Sequence, residues 1–425
     1  MTTTNPNDGN RHAAMPRRAF LGAAGAAGLA AAWSVHANEQ NAAQAPQEEN
    51  KMKPCRYWMH GFGGEDPKTT ARALRAGGFD VVVAGGEAVI AAVREEGMEA
   101  WLCGGAFGVG ADEDALKAVD LRGERHVWFG SGCPNQPEIR ERNLRSYEKM
   151  AETKGIQGIL VDGCRFASPA SGLNAFFTCF CGVCRDKAAR LGCDFAAMRR
   201  DAGALLQLVE SLGKDAPRAA AWLGTAAGTT EFLTQYPGLL EWLRFRRLCV
   251  TEHFRAIGEI LHGAGLRMGV YIFTPSLAPL VGQSYVDLAP FVDVFAPMIY
   301  RNYPDRPGIA CLNWELTLIP EELGLIGSPQ EDAVMRMILA WTGVDDTPAI
   351  EKLRTELEPA AIGHETRMAR AQIGDRELAP IIYIDDPRMV ESADAVRRNG
   401  ADGLNFFVFK DAWKKMVRPA MPDPA

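Results

Sequence analysis

Short apolar runs recur along the chain, and segments with helical periodicity separate them. Eight such runs cover residues 56–61, 80–85, 99–104, 158–166, 267–273, 293–300, 380–385 and 403–409. Each run is apolar throughout and does not alternate, which is typical of a strand buried on both faces. Helical patterns over residues 69–76, 87–96 and 137–154 fill three of the gaps. The pattern therefore predicts a βα unit repeated eight times.

Eight βα units predict an α/β fold of the TIM type, a (β/α)8 barrel. A doubly wound open sheet is the alternative, because alternation alone does not show whether a sheet closes. The strand count favours closure. A further run at 126–130 is interpreted as part of an excursion after the third strand. The long connections after the fourth and sixth strands, residues 167–266 and 301–379, are predicted to be insertions that build a binding face.

The N-terminal segment has the features of an export signal. Arg17 and Arg18 are followed by Ala-Phe-Leu, then by a small-residue apolar stretch and by Val-His-Ala ending at Ala37. This resembles the motif read by the twin-arginine translocon, so we interpret residues 1–37 as a signal peptide. The apolar stretch is shorter than the roughly 20 residues that span a bilayer, which argues against an uncleaved anchor. The predicted location is periplasmic or secreted.

The rest of the chain divides by composition. Residues 38–53 are rich in Ala, Gln, Glu and Asn without apolar periodicity, which predicts a flexible linker. The barrel is predicted over residues 54–416, with a C-terminal tail at 417–425. The formal net charge is −7 at pH 7, which argues against nucleic acid as a partner. Contact with a membrane is expected only through the export signal.

Two motifs link the chain to a known group of proteins. The fourth run reads GILVDGCRF, and Phe-Thr-Cys-Phe-Cys-Gly-Val-Cys follows at residues 177–184. This combination resembles glycoside-hydrolase-like TIM barrels, the hypothetical glycosyl hydrolases of bacterial genomes, in which a DG-x-RF strand end precedes a C-x-C-x-x-C loop. The run FAPMIY at 295–300 is similar to a D-x-x-x-P-M-x-Y strand of those families. The resemblance implies a carbohydrate as substrate or ligand.

The cysteines resemble those of family-42 β-galactosidases, which carry a four-cysteine zinc cluster. That resemblance implies a structural zinc site built from Cys133, Cys179, Cys181 and Cys184. Disulfides are the alternative for an exported chain with ten cysteines, and Cys164 or Cys193 could replace Cys133. Family-42 enzymes use glutamates at the ends of the fourth and seventh strands. This chain has Asp162 and Asp385 there, so those catalytic residues do not carry over.

Glycosidic bond cleavage needs two carboxyl groups, and barrel enzymes place their reacting groups at the carboxyl ends of the strands. Asp162 is the first candidate, and Arg165 is expected to lower its pKa, which suits a nucleophile or base. Asp385 is the second candidate, because burial is expected to raise its pKa toward that of an acid. Alternatively, Asp162 forms a structural pair with Arg165, and Asp385 is a turn or helix-capping residue.

Further polar and aromatic residues near the strand ends are candidates for substrate binding. They are His60, Glu87, Arg165, Tyr300 and Trp314. A histidine or tyrosine can hydrogen-bond a sugar hydroxyl, and an aromatic ring can support a sugar face. The alternatives are a satisfied buried histidine, core aromatics, and a glutamate that only complements a helix dipole.

These features support two hypotheses of function. One is an exported glycoside hydrolase-like protein that acts on a carbohydrate at the barrel mouth. The other is a barrel that binds carbohydrate, or assists another enzyme, without turnover and with a structural zinc site. The fold alone does not distinguish them, because the same barrel supports many chemistries.

The export signal gives a direct prediction. Replacing both Arg17 and Arg18 by Lys should leave the precursor in the cytoplasm, because the translocon reads the arginine pair. Fractionation and immunoblotting of the two forms would measure this, with a single Arg11→Lys change outside the pair as the control. Continued export of the doubly substituted precursor would contradict the interpretation.

Overall fold

The computed structural model describes residues 55–303, 311–342, 349–355 and 357–421. Contacts divide the chain into Met1–Met52 and Lys53–Ala425, and the described residues belong to the second unit. The predicted signal peptide, the whole predicted linker and the last four residues of the tail lie outside the described residues. Within those residues, no helix has the length and apolarity needed to cross a membrane.

Eight parallel strands form one closed sheet. They are β1 (Arg56–His60), β2 (Val81–Val83), β3 (Glu99–Gly104), β4 (Gly158–Val161), β5 (Arg267–Phe273), β6 (Val294–Met298), β7 (Ile381–Tyr383) and β8 (Gly403–Phe407). Sequential strands pair with one another, and β8 also pairs with β1, so that His60 lies opposite Phe407. The contact of Ile381 in β7 with Met298 in β6 completes the ring. The predicted α/β class and the TIM-type (β/α)8 barrel are confirmed.

Helices connect the strands. They are α1 (Pro67–Ala76), α2 (Glu87–Glu95), α3 (Pro137–Ala151), α4 (Leu173–Phe176), α5 (Gly182–Arg190), α6 (Phe195–Glu210), α7 (Leu212–Leu223), α8 (Ala226–Gln235), α9 (Gly238–Gly263), α10 (Tyr285–Leu288), α11 (Leu312–Glu322), α12 (Glu331–Thr342), α13 (Ile350–Thr355), α14 (Pro359–Ile373), α15 (Met389–Arg398) and α16 (Trp413–Val417). Six of them, α4 to α9, fill the connection after β4, and α11 to α14 lie in the connection after β6.

Local sequence explains where these elements begin. In α1, Pro67 occupies the first turn, and the Asp66 carboxylate accepts hydrogen bonds from the backbone N–H groups of Lys68 and Thr69. The excursion after β3 contains a short antiparallel pair, Ala118–Val119 with Arg125–His126. The leftover run at 126–130 therefore does belong to that excursion. A further short strand, Glu377–Leu378, pairs with β6.

The barrel interior near the amino ends of the strands is filled by tryptophan. The rings of Trp58 and Trp101 are fully buried, with centroids 5.0 Å apart. Gly158 leaves the space that Trp101 occupies: a Cβ atom at Gly158 would lie 2.5 Å from that ring and 2.6 Å from the Arg267 carbonyl oxygen. Contacts this short are not found in folded proteins, so the large ring and the small residue depend on each other.

This packing predicts the effect of a single methyl group. Gly158→Ala should lower the free energy of unfolding by about 1–3 kcal/mol, because the ring and the backbone carbonyl must both move. Gly203→Ala is the matched control, because that glycine lies within α6 with no atom within 4 Å of the added methyl group. The control should raise the stability by about 0.5–1 kcal/mol, since alanine favours the helix. Denaturant unfolding would measure both, and equal stabilities for Gly158→Ala and the unchanged protein would contradict the packing argument.

Candidate functional site

The carboxyl ends of the strands surround a pocket of about 260 Å³. Its lining residues are His60, Cys103, Phe129, Asp162, Gly163, Arg165, Tyr271, Met298, Tyr300 and Phe407. We call this the mouth pocket. Four residues selected from the sequence, His60, Asp162, Arg165 and Tyr300, come together in it. Its volume lies below the roughly 300–1,000 Å³ typical of ligand pockets, so it suits one small ligand.

Asp162 is the one carboxylate among the described lining residues of the mouth pocket. It follows β4 directly, and its backbone N–H donates to the carbonyl oxygen of Gly104 at the end of β3, at 2.8 Å. Burial raises the pKa of the Asp162 carboxyl group, while the charge of Arg165 and the N–H of Gly163 act in the opposite direction. The expectation of a lowered pKa is therefore wrong, because desolvation outweighs the arginine. A carboxyl group of this kind suits a proton donor better than a nucleophile.

Arg165 is buried, with only 4% of its surface exposed. Its guanidinium carbon lies 4.5 Å from the ring centroids of both Trp128 and Phe273. Nη1 donates to the carbonyl oxygen of Phe166 at 3.2 Å. Burial lowers the pKa of Arg165 to about 10, and the charges of Glu315 and Asp162 partly offset this. The charge of Asp162 acts on Arg165, but within the described ranges Arg165 forms no ion pair at contact distance with it.

His60 belongs to a buried hydrogen-bonded chain. Its Nδ1 lies 2.6 Å from the Tyr271 hydroxyl group, which in turn accepts a hydrogen bond from Nδ2 of Asn405 at 3.3 Å. The tyrosine proton is then directed to Nδ1, which assigns the remaining imidazole proton to Nε2. Burial lowers the pKa of His60 to about 4, so the ring is neutral at pH 7. His60 can therefore offer one N–H donor to a ligand in the mouth pocket.

Aromatic residues form much of the remaining wall. Tyr300 is almost fully buried, and its ring packs against Phe407 with centroids 5.4 Å apart. Phe129 differs, because 53% of its surface is exposed and its φ angle is +47°. A non-glycine residue in this left-handed region is uncommon and is often found at functional sites. Sequence reasoning missed Phe129, although the apolar run that contains it had been placed in the correct excursion.

Three residues selected from the sequence do not line the mouth pocket. Asp385 is partly exposed and forms an ion pair with Lys410. Glu87 is exposed at the first position of α2, where it complements the helix dipole. Trp314 packs against the core, and its indole N–H donates to the Tyr303 carbonyl oxygen at 2.9 Å. The sequence correctly identified their positions after strands or in an insertion, but it did not reveal these partners.

Glu315, the neighbour of Trp314, is buried between the two insertions. Its carboxylate accepts hydrogen bonds from the Ser168 hydroxyl group and the Ala170 backbone N–H, both at 2.8 Å. Burial raises its pKa to about 7, although these hydrogen bonds and the charge of Arg165 oppose the change. Glu315 is the one charged residue among the described residues lining a separate apolar cavity of about 280 Å³.

The four predicted cysteines form a compact cluster. The sulfur atoms of Cys133, Cys179, Cys181 and Cys184 all lie within 4.8 Å of one another. Sγ of Cys133 is 3.7 Å from that of Cys181 and 3.5 Å from that of Cys184. Four sulfurs bound to one zinc ion at about 2.3 Å would be about 3.8 Å apart, whereas a disulfide needs about 2.05 Å. The cluster is compatible with a metal site, and neither Cys164 nor Cys193 replaces Cys133 in it.

Backbone and side-chain donors point at these sulfurs. Sγ of Cys179 accepts from the Val119 N–H at 3.3 Å, and Sγ of Cys133 accepts from the Asn135 N–H at 3.4 Å. The Asn135 side chain also donates to Sγ of Cys184 at 3.3 Å. Donors of this kind stabilise thiolates, which are the form that binds a metal. The surroundings therefore fit a thiolate–metal centre.

Solved structures are similar to this chain. The catalytic domain of a beta-amylase from Paenibacillus polymyxa has 13% sequence identity and a TM-score of 0.50, with 87% of this chain and 99% of that chain covered. A beta-galactosidase from Bacillus circulans sp. alkalophilus has 13% identity and a TM-score of 0.48, with 85% and 51% covered. A beta-galactosidase from Marinomonas ef1 has 13% identity and a TM-score of 0.49, with 83% and 54% covered.

This chain thus spans about half the length of the beta-galactosidase structures that it matches. No known protein family and no curated protein matches the sequence. Because identity to the solved structures is only 13%, the likeness is one of fold. The chain therefore shares the TIM-barrel fold with the catalytic domain of that beta-amylase.

Proposed function

We propose that the mouth pocket binds a carbohydrate and that the protein hydrolyses a glycosidic bond there. The observation that carries the proposal is the half-buried carboxyl group of Asp162, with a raised pKa, at the carboxyl end of β4. The neutral donor His60 and the cation of Arg165 line the same pocket. The solved structure that shares the fold is the catalytic domain of a beta-amylase, which supports a carbohydrate as the ligand.

In this proposal Asp162 acts as the general acid. Its protonated carboxyl group transfers a proton to the leaving glycosidic oxygen as the bond to the anomeric carbon breaks. Water supplies the oxygen that bonds to the anomeric carbon, and the proton that it loses restores the acid. The carboxylate that results is stabilised by the charge of Arg165, which interacts with it electrostatically. His60 donates from Nε2 to a sugar hydroxyl group, and the exposed ring of Phe129 supports a sugar face. Asp385 at the end of β7 is the second carboxyl group to be tested, as the sequence suggested.

A second function is favoured by one specific observation. Asp162 is the one carboxylate among the described lining residues, and Asp385 is engaged with Lys410. A barrel with a single carboxylate in its pocket would bind a carbohydrate without cleaving it, because both hydrolytic mechanisms use two. Binding without turnover is therefore the alternative.

Substitution of the two aspartates distinguishes these functions. A polysaccharide panel would first identify a bound or hydrolysed sugar for the purified protein. For hydrolysis, Asp162→Asn should lower turnover by about 1,000-fold or more, because the amide cannot donate a carboxyl proton. Asp385→Asn is the companion variant, and an equal loss would identify it as the second carboxyl group. Turnover of the sugar by Asp162→Asn at the unchanged rate would exclude Asp162 as the acid.

The same variant has a predicted effect on stability that serves as its control. Since the folded-state pKa of Asp162 is raised, its ionisation favours the unfolded chain as the pH rises above the ordinary aspartate pKa of about 3.9. Asp162→Asn should therefore unfold at an equal or higher temperature than the unchanged protein at pH 7. A lower midpoint would mean that lost activity reflects lost structure.

We further propose that the cysteine cluster holds a structural zinc ion. Four thiolates form the closed tetrahedral set that such ions prefer. A protein exported in its folded state through the twin-arginine route would acquire the metal in the reducing cytoplasm, before the oxidising compartment could form disulfides. The ion would supply no chemistry to the mouth pocket. It would hold the segment that follows β4 in a fixed place.

Metal content tests this proposal. Native mass spectrometry should find one zinc ion per chain, and Cys181→Ser should lose it and unfold at a lower temperature, because the site contributes folding energy. Cys193→Ser is the matched control, since Cys193 is buried but lies outside the cluster. Two disulfides among the four cysteines, with no metal bound, would contradict the proposal.

A further inference from the structure

Three buried arginines of this barrel differ in how their charge is satisfied. Arg246 stacks on Trp242 and donates to the backbone carbonyl oxygens of Leu280, Phe176 and Thr178. Arg301 forms a buried ion pair with Asp386 and donates to the Leu357 carbonyl oxygen at 2.7 Å. In both cases partners from the folded chain satisfy most of the guanidinium donors, which is what a purely structural role requires.

Arg165 lacks such partners. Within the described part of the chain it makes one hydrogen bond, from Nη1 to Phe166, and no ion pair. Nε of Arg246 is fully enclosed by the protein and has no hydrogen-bond partner. Nε and Nη2 of Arg165 are not fully enclosed in this way. Since Arg165 lines the mouth pocket, these donors are open to that pocket. A cation that is 96% buried, with donors facing a cavity, is equipped to receive an anion.

Two aromatic rings restrict the position of these donors. The guanidinium carbon of Arg165 lies 4.5 Å from the ring centroids of both Trp128 and Phe273, and cation–π contacts of this kind stabilise the buried cation. A fixed planar fork matches the two oxygens of a carboxylate. The remaining charged group among the described lining residues is Asp162. Its carboxyl group has a raised pKa, so that it carries less negative charge toward a neighbouring anion than an ordinary aspartate.

We propose that the ligand of the mouth pocket is a sugar that carries a carboxylate, a hexuronate, and that Arg165 binds this carboxylate through its open donors. The inference rests on the proposed carbohydrate site and adds the class of sugar. The exposed ring of Phe129 lies on the same pocket and supports the sugar ring, independently of its charge. In this arrangement Arg165 binds the carboxylate of the sugar, and Phe129 contacts the face of the sugar ring.

The first experiment needs no variant. Calorimetric titration of the mature protein would compare D-galacturonate and D-glucuronate with their methyl esters, with galactose and glucose, and with galactose 6-sulfate. The acids should bind at least about tenfold more tightly than the esters, because a charge-assisted hydrogen bond is stronger than a neutral one. Equal affinity of acid and ester would overturn the inference while leaving a carbohydrate site intact. Stronger binding of the sulfate would also overturn it, in favour of sulfated sugars.

The variants assign the effect to its residue. Arg165→Met keeps an unbranched apolar stem near the two rings and should abolish the preference for acid over ester, whereas Arg165→Lys should retain only part of it. Phe129→Ala is the matched control, because it should weaken binding of acid and ester by the same factor. A preserved preference in a folded Arg165→Met protein would overturn the assignment. Absence of binding and hydrolysis for every sugar would instead refute the carbohydrate site itself.

Discussion

Closure of the parallel sheet is the constraint on which the rest of this structure depends. Once β8 pairs with β1 and β7 pairs with β6, all eight strands run in one direction around a ring. Their carboxyl ends must then meet at one mouth, whatever the loops contain. The register places His60 of β1 beside Phe407 of β8, and the N–H of Asp162 is held by the end of β3. Residues far apart in sequence therefore line one pocket, because the closed sheet brings the carboxyl ends of all strands together.

The same constraint explains what could be predicted from the sequence. Strands buried on both faces are apolar throughout, so all eight runs were visible, and a residue directly after a strand must lie at the mouth. His60, Asp162 and Tyr300 were found in this way. Asp385 also follows its strand, β7, but its ion-pair partner Lys410 follows β8. No local sequence pattern predicts a pairing between two such distant residues. Tyr271 was missed because it lies inside an apolar strand, where its hydroxyl group has no visible signal.

Net electrostatic effects were harder to predict than positions. The sequence correctly suggested that Arg165 acts on Asp162, but the sign of the pKa shift depends on burial, which only the folded structure provides. The cysteine cluster was easier to predict, because three of its members are close in sequence. The resemblance to family-42 β-galactosidases implied the fourth member, Cys133. Through Cys133 and Cys179 it joins the excursion after β3 to the segment after β4. These two segments also supply Phe129 and Arg165 to the mouth pocket. The cluster that holds the two segments together therefore also helps to position these two lining residues.

Glu315, buried between the two insertions, makes the stability of the fold depend on pH. Its carboxyl group, on α11, accepts from Ser168 and Ala170 in the segment that follows β4. In the unfolded chain it ionises near the ordinary pKa of 4.5, but in the folded chain near 7. Its contribution favours the folded state fully below the lower value and is lost as the pH rises through the higher one. The burial of Glu315 beside the apolar cavity thus opposes folding less in a mildly acidic compartment than in an alkaline one.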